Sequence, residues 1–179
     1  LAAEHLQALM TGQVAAVAVT EFTFLRDSPA QTDVILGDGR LSLEREPDQH
    51  YDLLAIDAFS GDSIPMHLIT REAMATYVRH IKPDGVIVFQ ATNRFVKIAL
   101  VVERLAAEFG MPAVLVSDSP ESSEGADYWV SSTDQIIVTK NARLLAGDPI
   151  RLVAEPLPLR PELRTWTDDF YNLLSILKY

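Results

Sequence analysis

The sequence predicts an α/β fold built on a mostly parallel sheet with helices on both faces, and three observations carry that prediction. Short apolar runs of strand length recur at Thr32–Leu36, Leu53–Ile56, Val86–Gln90, Ala113–Val116 and Gln135–Thr139. Segments with apolar residues at helical spacing lie between them, and every link is short, which is the alternation that parallel α/β sheets require. The run Leu53, Leu54, Ala55, Ile56 has no polar alternation and ends directly in Asp57, as expected for a strand covered on both faces.

In chain order, Leu1–Met10 reads as a helix with Leu1, Ala2, His5, Leu6 and Leu9 near one face, stopped by Thr11 and Gly12. Val14–Leu25 mixes both periods and reads as a helix ended by Ser28 and Pro29. Thr32–Leu36 is a strand that runs into Gly37, Asp38, Gly39 and Arg40, and a short helix, Leu41–Arg45, follows. Thr70 is the expected N-cap of the next helix, with Glu72 in its first turn, where negative charge suits the helix dipole. Met74, Tyr77, Val78 and Ile81 fall at helical spacing, and Lys82–Gly85 closes the element. A helix opening at Asn93 or Arg94 carries Phe95, Ile98, Val102, Leu105 and Phe109 on one face, with Gly110 and Pro112 as stops. Ser117–Asp127 reads as an acidic loop. Pro149, Pro156, Pro158 and Pro161 make Asp148–Arg164 an extended strap, and Thr167 caps a final helix whose stripe is Phe170, Leu173, Leu174 and Leu177. The expected organisation is one domain over 1–179, with 1–21 an atypical N-terminal segment and 148–179 the Pro-rich strap and terminal helix.

The chain has 179 residues, of which 48% are hydrophobic, enough to bury a core without disulfides or metal. It has no cysteine, which excludes disulfides, thiolate metal sites and a cysteine nucleophile and fits a reducing, cytoplasmic compartment. A formal net charge of -10, with no cluster of Lys and Arg, argues against a nucleic-acid partner and suits a cationic small molecule. No apolar run reaches the roughly 20 residues of a membrane span, and no signal-peptide pattern is visible, so no membrane contact is expected from this chain. The four histidines show no metal-ligand spacing, and no metal site is proposed. Ser60 and Ser63 lack a nucleophile elbow, and the P-loop and G-x-G-x-x-G patterns are absent.

Asp57 is the residue from which a function can be argued. In open α/β sheets the ligand crevice lies outside the carboxyl ends of the strands, and Asp57 stands there, before a loop containing Ser60, Gly61, Asp62 and Ser63. Asp62 also suits an ordinary turn.

Taken together, G-D-G at Gly37–Gly39, the strand ending at Asp57, the Ser/Gly/Asp loop leading through Leu68 and Thr70 into a helix, and K-P-D-G-V before Gln90 resemble the spermidine synthases. These are the aminopropyltransferase branch of the Rossmann-like methyltransferase fold. The stretches FTFLRDSP, DAFSGDSIP and WTDDFYNLL are similar to bacterial spermidine synthase-like proteins, some of them fused to a transporter-like membrane half. The resemblance covers about Phe22–Tyr179. It implies transfer of an aminopropyl group from decarboxylated S-adenosylmethionine, a co-substrate rather than a prosthetic group, to a diamine such as putrescine, within a homodimer. By the same resemblance Gly37, Asp38 and Gly39 meet the adenine, Asp57 sits beside the attacking amine, and Gln90 lines the diamine site. In the family a second acid stands three residues after the first. Here that position is Ser60, and the nearest acid is Asp62.

The Gly-rich turn and ribose-binding acid of that family are not found upstream of Phe22, where there is no room for a βαβ unit of roughly 30 residues. The chain also begins at Leu1 rather than Met, so the sequence reads as a truncated or processed chain or a degenerate homologue. A non-catalytic binding or assembly domain and an S-adenosylmethionine-dependent methyltransferase stay open as alternatives.

Overall fold

The computed structural model describes residues 6–10, 27–58, 65–119 and 131–178, with 6–10 as backbone only. The expected helix Val14–Leu25, site residues Ser60 and Asp62, and most of the acidic loop after Asp118 lie outside the described residues.

Strand β1, Leu6–Met10, pairs in parallel with β2, Thr32–Leu36, from Leu6 opposite Thr32 to Met10 opposite Leu36. This corrects the helix expected over Leu1–Met10. A short apolar run satisfies either period, and the backbone groups offered by β2 settle it. Helix α1 spans Gly39–Arg45, with the Asp38 side chain accepting from Leu41 N.

The larger sheet has five strands in the order β3-β4-β6-β5-β7. They are β3 (Tyr51–Ile56), β4 (Ile81–Gln90), β5 (Ala113–Asp118), β6 (Thr133–Thr139) and β7 (Ala154–Pro156). Only β3 and β4 pair in parallel in this sheet. The β4–β6, β5–β6 and β5–β7 pairs are antiparallel, which corrects the expectation of a mostly parallel sheet while the α/β class stands. Periodicity reports that a segment is a strand but not its direction, which depends on which neighbour the crossover reaches.

Helix α2 (Arg71–His80) is capped as expected, Thr70 Oγ1 accepting from Ala73 N at 3.2 Å. Helix α3 covers Ile98–Glu108 and buries Ile98, Val101, Val102, Leu105 and Ala106. It starts later than expected because Asn93 Oδ1 accepts from Phe95 N at 2.9 Å and Val96 N at 3.0 Å, holding the chain in a turn that leaves Phe95 exposed. Helices α2 and α3 pack on the sheet and on each other, so they share one face. Beneath them Leu54, Ile56, Ile87, Phe89, Ile136 and Val138 are buried. The opposite pleat of β3 is open: Leu53 is 52% exposed, so the strand expected to be covered on both faces is covered on one among the described residues.

Short helices α4 (Ala142–Ala146) and α5 (Asp148–Arg151) follow β6. The strap is therefore not extended throughout: α5 has Pro149 in its first turn, and Pro156 ends β7, an edge strand that tolerates proline. The final helix is corrected to a bridge between Thr167 and Phe170 and a 3-10 turn over Leu173–Ile176. The tail nonetheless docks on the core, with Leu163, Trp166 and Ile176 buried and Leu173 and Leu177 packed beside them.

Candidate functional site

Gly37 leaves β2 at φ +145, a backbone conformation that side-chain-bearing residues rarely adopt, and this turn delivers Asp38 to the start of α1. Asp38 Oδ1 accepts from Leu41 N at 2.9 Å and Oδ2 meets His67 Nε2 at 2.8 Å. Partial burial works to raise the Asp38 carboxyl, but the Leu41 amide and His67 outweigh it and hold the group below the usual carboxylate value.

Beside it Arg40 is only 8% exposed, a position a guanidinium tolerates when its donors are all matched. Nε donates to Glu44 Oε1 at 2.7 Å, one helical turn on. Nη1 donates to the His67 carbonyl at 2.8 Å, and Nη1 and Nη2 clasp the two oxygens of Asp168 at 2.7 and 2.6 Å. Thr70 Oγ1 also donates to Asp168 Oδ1 at 2.8 Å. The Arg40 hydrogen bonds are the main reason the Asp168 carboxyl lies below its ordinary value, burial opposing them.

These residues surround a cavity of about 530 Å³ lined by Asp38, Leu41, Met66, His67, Asp168 and Tyr171 among others. Leu41, Met66 and the Tyr171 ring supply apolar surface beside the charged Asp38, Arg40, Glu44 and Asp168, a mixture that suits a small polar organic ligand.

Asp57 and Gln90 form a second group. Ile56 is paired with Phe89 across the parallel β3 and β4, so Asp57 and Gln90 follow at adjacent carboxyl ends. Asp57 is exposed, whereas Gln90 Oε1 is buried with no hydrogen-bond partner among the described residues. The described lining of the cavity includes Asp38 but not Gly37, Gly39, Asp57 or Gln90. The residues expected at one site thus divide into a cluster around Asp38 and a strand-end pair at Asp57. Sequence reading missed Arg40, His67 and Asp168 as members of the first cluster. Asp168 is 128 residues from Arg40, and only the i,i+4 spacing of Arg40 and Glu44 was available as a local signal.

The chain superimposes on the spermidine synthase of Thermotoga maritima with a TM-score of 0.54 and 14% identity, over 88% of this chain and 53% of that one. The fold is spermidine synthase-like. A spermidine synthase in complex with the transition state analogue AdoDATO matches with a TM-score of 0.55 and 16% identity, covering 88% of this chain and 52% of its own. A probable spermidine synthase from Corynebacterium glutamicum ATCC 13032 matches at 0.52 and 19% identity, over 73% and 45%. In sequence, the polyamine aminopropyltransferase of Vibrio vulnificus (strain CMCP6) is 35% identical over 72 residues, 39% of this chain and 24% of that protein. No protein-family model matches. The chain spans about half the length of these spermidine synthases and aligns with a quarter of the curated relative.

Proposed function

We propose that this chain carries the amine side of an aminopropyltransferase site, acting on decarboxylated S-adenosylmethionine and a small diamine such as putrescine. The observation that carries the reading is the placement of Asp57 and Gln90 at neighbouring carboxyl ends of the parallel β3 and β4, where such folds hold their ligands. An alkyl amine with a pKa of about 10.4 is protonated at neutral pH and cannot attack carbon until it loses a proton. Asp57 accepts that proton. The amine nitrogen then forms a bond to the aminopropyl carbon next to the sulfonium, the carbon–sulfur bond breaks, and its electron pair stays on sulfur as methylthioadenosine leaves. Gln90 lines the amine side, and Ser60 and Asp62 are read as holding the far ammonium.

The cavity at Asp38 suits the nucleoside end, with Leu41, Met66 and Tyr171 for the flat base and Asp38, between Gly37 and Gly39, to accept from its amino group. One matched spermidine synthase is described with the analogue AdoDATO, which supports a co-substrate of the S-adenosyl class. The test is incubation of the protein with decarboxylated S-adenosylmethionine and putrescine, with mass spectrometry of the products. Spermidine and methylthioadenosine in equal amounts are expected. Absence of both, with folded protein and with longer polyamines also offered, overturns the reading.

A further inference from the structure

Asp38 owes its orientation to two hydrogen bonds, from Leu41 N and from His67. The first belongs to the helix cap and forms with α1. The second depends on a histidine whose side chain is half exposed, so ring packing alone does not hold it. The His67 backbone is held in a 3-10 turn, Met66–Leu68, and its carbonyl is further gripped by Arg40 Nη1 at 2.8 Å. Arg40 in turn is held in plane by the parallel pair of bonds to Asp168, at 2.7 and 2.6 Å. A planar fork paired with a carboxylate in this way has one orientation, and that orientation aims its remaining Nη1 donor at His67. Asp168 is itself anchored, accepting from Thr70 Oγ1 and donating its backbone N–H to Glu72 Oε2 at 3.0 Å.

We propose that Asp168 is a positioning residue for Asp38, acting through Arg40 and His67, so that the C-terminal segment sets the geometry of the nucleotide side of the site. The role rests on the reading of Asp38 as the residue that meets the nucleoside base. Asp168 lines the same cavity, and the role assigned to it is exerted through Arg40 and His67 rather than by contact with the ligand. Removing its charge loosens the Arg40 fork, frees the His67 carbonyl and lets the His67 ring leave Asp38. Among the described residues, the charged and titratable groups facing Asp38 in this cavity are His67, Arg40, Glu44, Asp168 and Tyr171, so a change at Asp38 can be followed against a short list.

The experiment compares wild type with Asp168→Asn and Arg40→Lys, the second keeping the positive charge but losing the fork. Folding of each is verified by circular dichroism. Carbon-13 NMR then follows the titration of the Asp38 carboxyl, and calorimetry measures methylthioadenosine. In both variants the Asp38 midpoint rises toward the ordinary aspartate value, and methylthioadenosine affinity falls by about tenfold, the equivalent of one hydrogen bond. A purely structural clasp would lower the melting temperature and leave both readouts unchanged in folded protein. Unchanged Asp38 titration in either folded variant overturns the proposal. If wild type fails to bind methylthioadenosine, the nucleotide reading falls by itself, while the Asp38 titration still decides whether Asp168 positions it.

Discussion

Asp57 and Asp38 both follow strands, yet their surroundings give them different capacities. Asp57 is exposed at the end of β3, whereas both oxygens of Asp38 are already engaged. Replacing Asp57 by Asn keeps size and shape and removes the basic oxygen, so aminopropyl transfer is expected to fall by about 10²–10⁴-fold with an unchanged melting temperature. Steady-state rates that stay within a few-fold of wild type would remove Asp57 from the mechanism. His80 offers a second residue-scale prediction. It is fully buried, Nδ1 accepting from Gln49 N at 3.3 Å while Nε2 donates to the Leu43 carbonyl at 2.8 Å, a neutral ring with both nitrogens used. Burial holds its imidazole below the ordinary value, partly countered by the Leu43 carbonyl. As pH falls below about 6.5, the unfolded chain takes up the proton first, so stability is full above that point and declines beneath it. Melting temperatures from pH 7.5 to 5.5 should show this decline in wild type and a flatter profile in His80→Gln. Asp38 and Asp168, whose carboxyls are lowered, contribute in a separate and more acidic window.

At the scale of elements, the join between α2 and β4 depends on Gly85. A Cβ there would come within 2.8 Å of the Tyr51 carbonyl oxygen and 2.9 Å of both Ile81 Cβ and Lys82 N. Two of those atoms are backbone, and they belong to the irregular start of the β3–β4 ladder, where the register shifts between Tyr51 and Leu53. The Gly85 carbonyl also accepts from Thr139 Oγ1 at 2.8 Å, so moving the strand disturbs β6 as well. Gly85→Ala is expected to cost about 1–3 kcal/mol, the usual range for overpacking. Urea denaturation gives the value, and a loss below a few tenths of a kcal/mol would show that this join relaxes freely.

For the whole molecule, the C-terminal segment completes the core. Trp166 is 1% exposed, its carbonyl accepts from Arg71 N at 2.9 Å, and its neighbour Asp168 closes on Arg40. The tail thus ties the start of α2 to α1 across most of the chain. Trp166→Ala should destabilise by about 3–5 kcal/mol. For a domain of this size that lowers the melting temperature by on the order of 10 °C. A calorimetric shift of only a degree or two would mean that the segment docks without supporting the core.

What the sequence determined by itself is whatever depends on neighbours in the chain. The strand Thr32–Leu36 appears with the expected bounds, and Thr70 caps α2 as its spacing before Ala73 requires. Asp57 falls at a strand end because an apolar run stops there. Tertiary structure decided the rest. Leu6–Met10 became a strand through pairing with β2, the β4–β6, β5–β6 and β5–β7 pairings are antiparallel, and the tail gave up its helix for a bridge and a 3-10 turn. The grouping of Asp38, Arg40, His67 and Asp168 belongs to the same class. Each has an ordinary local role in the sequence, and only the packing of a distant segment against α1 and α2 makes them one hydrogen-bonded unit. Periodicity and capping act over a few residues and can be read along the chain, whereas strand direction and charge pairing are settled by segments that meet only after folding.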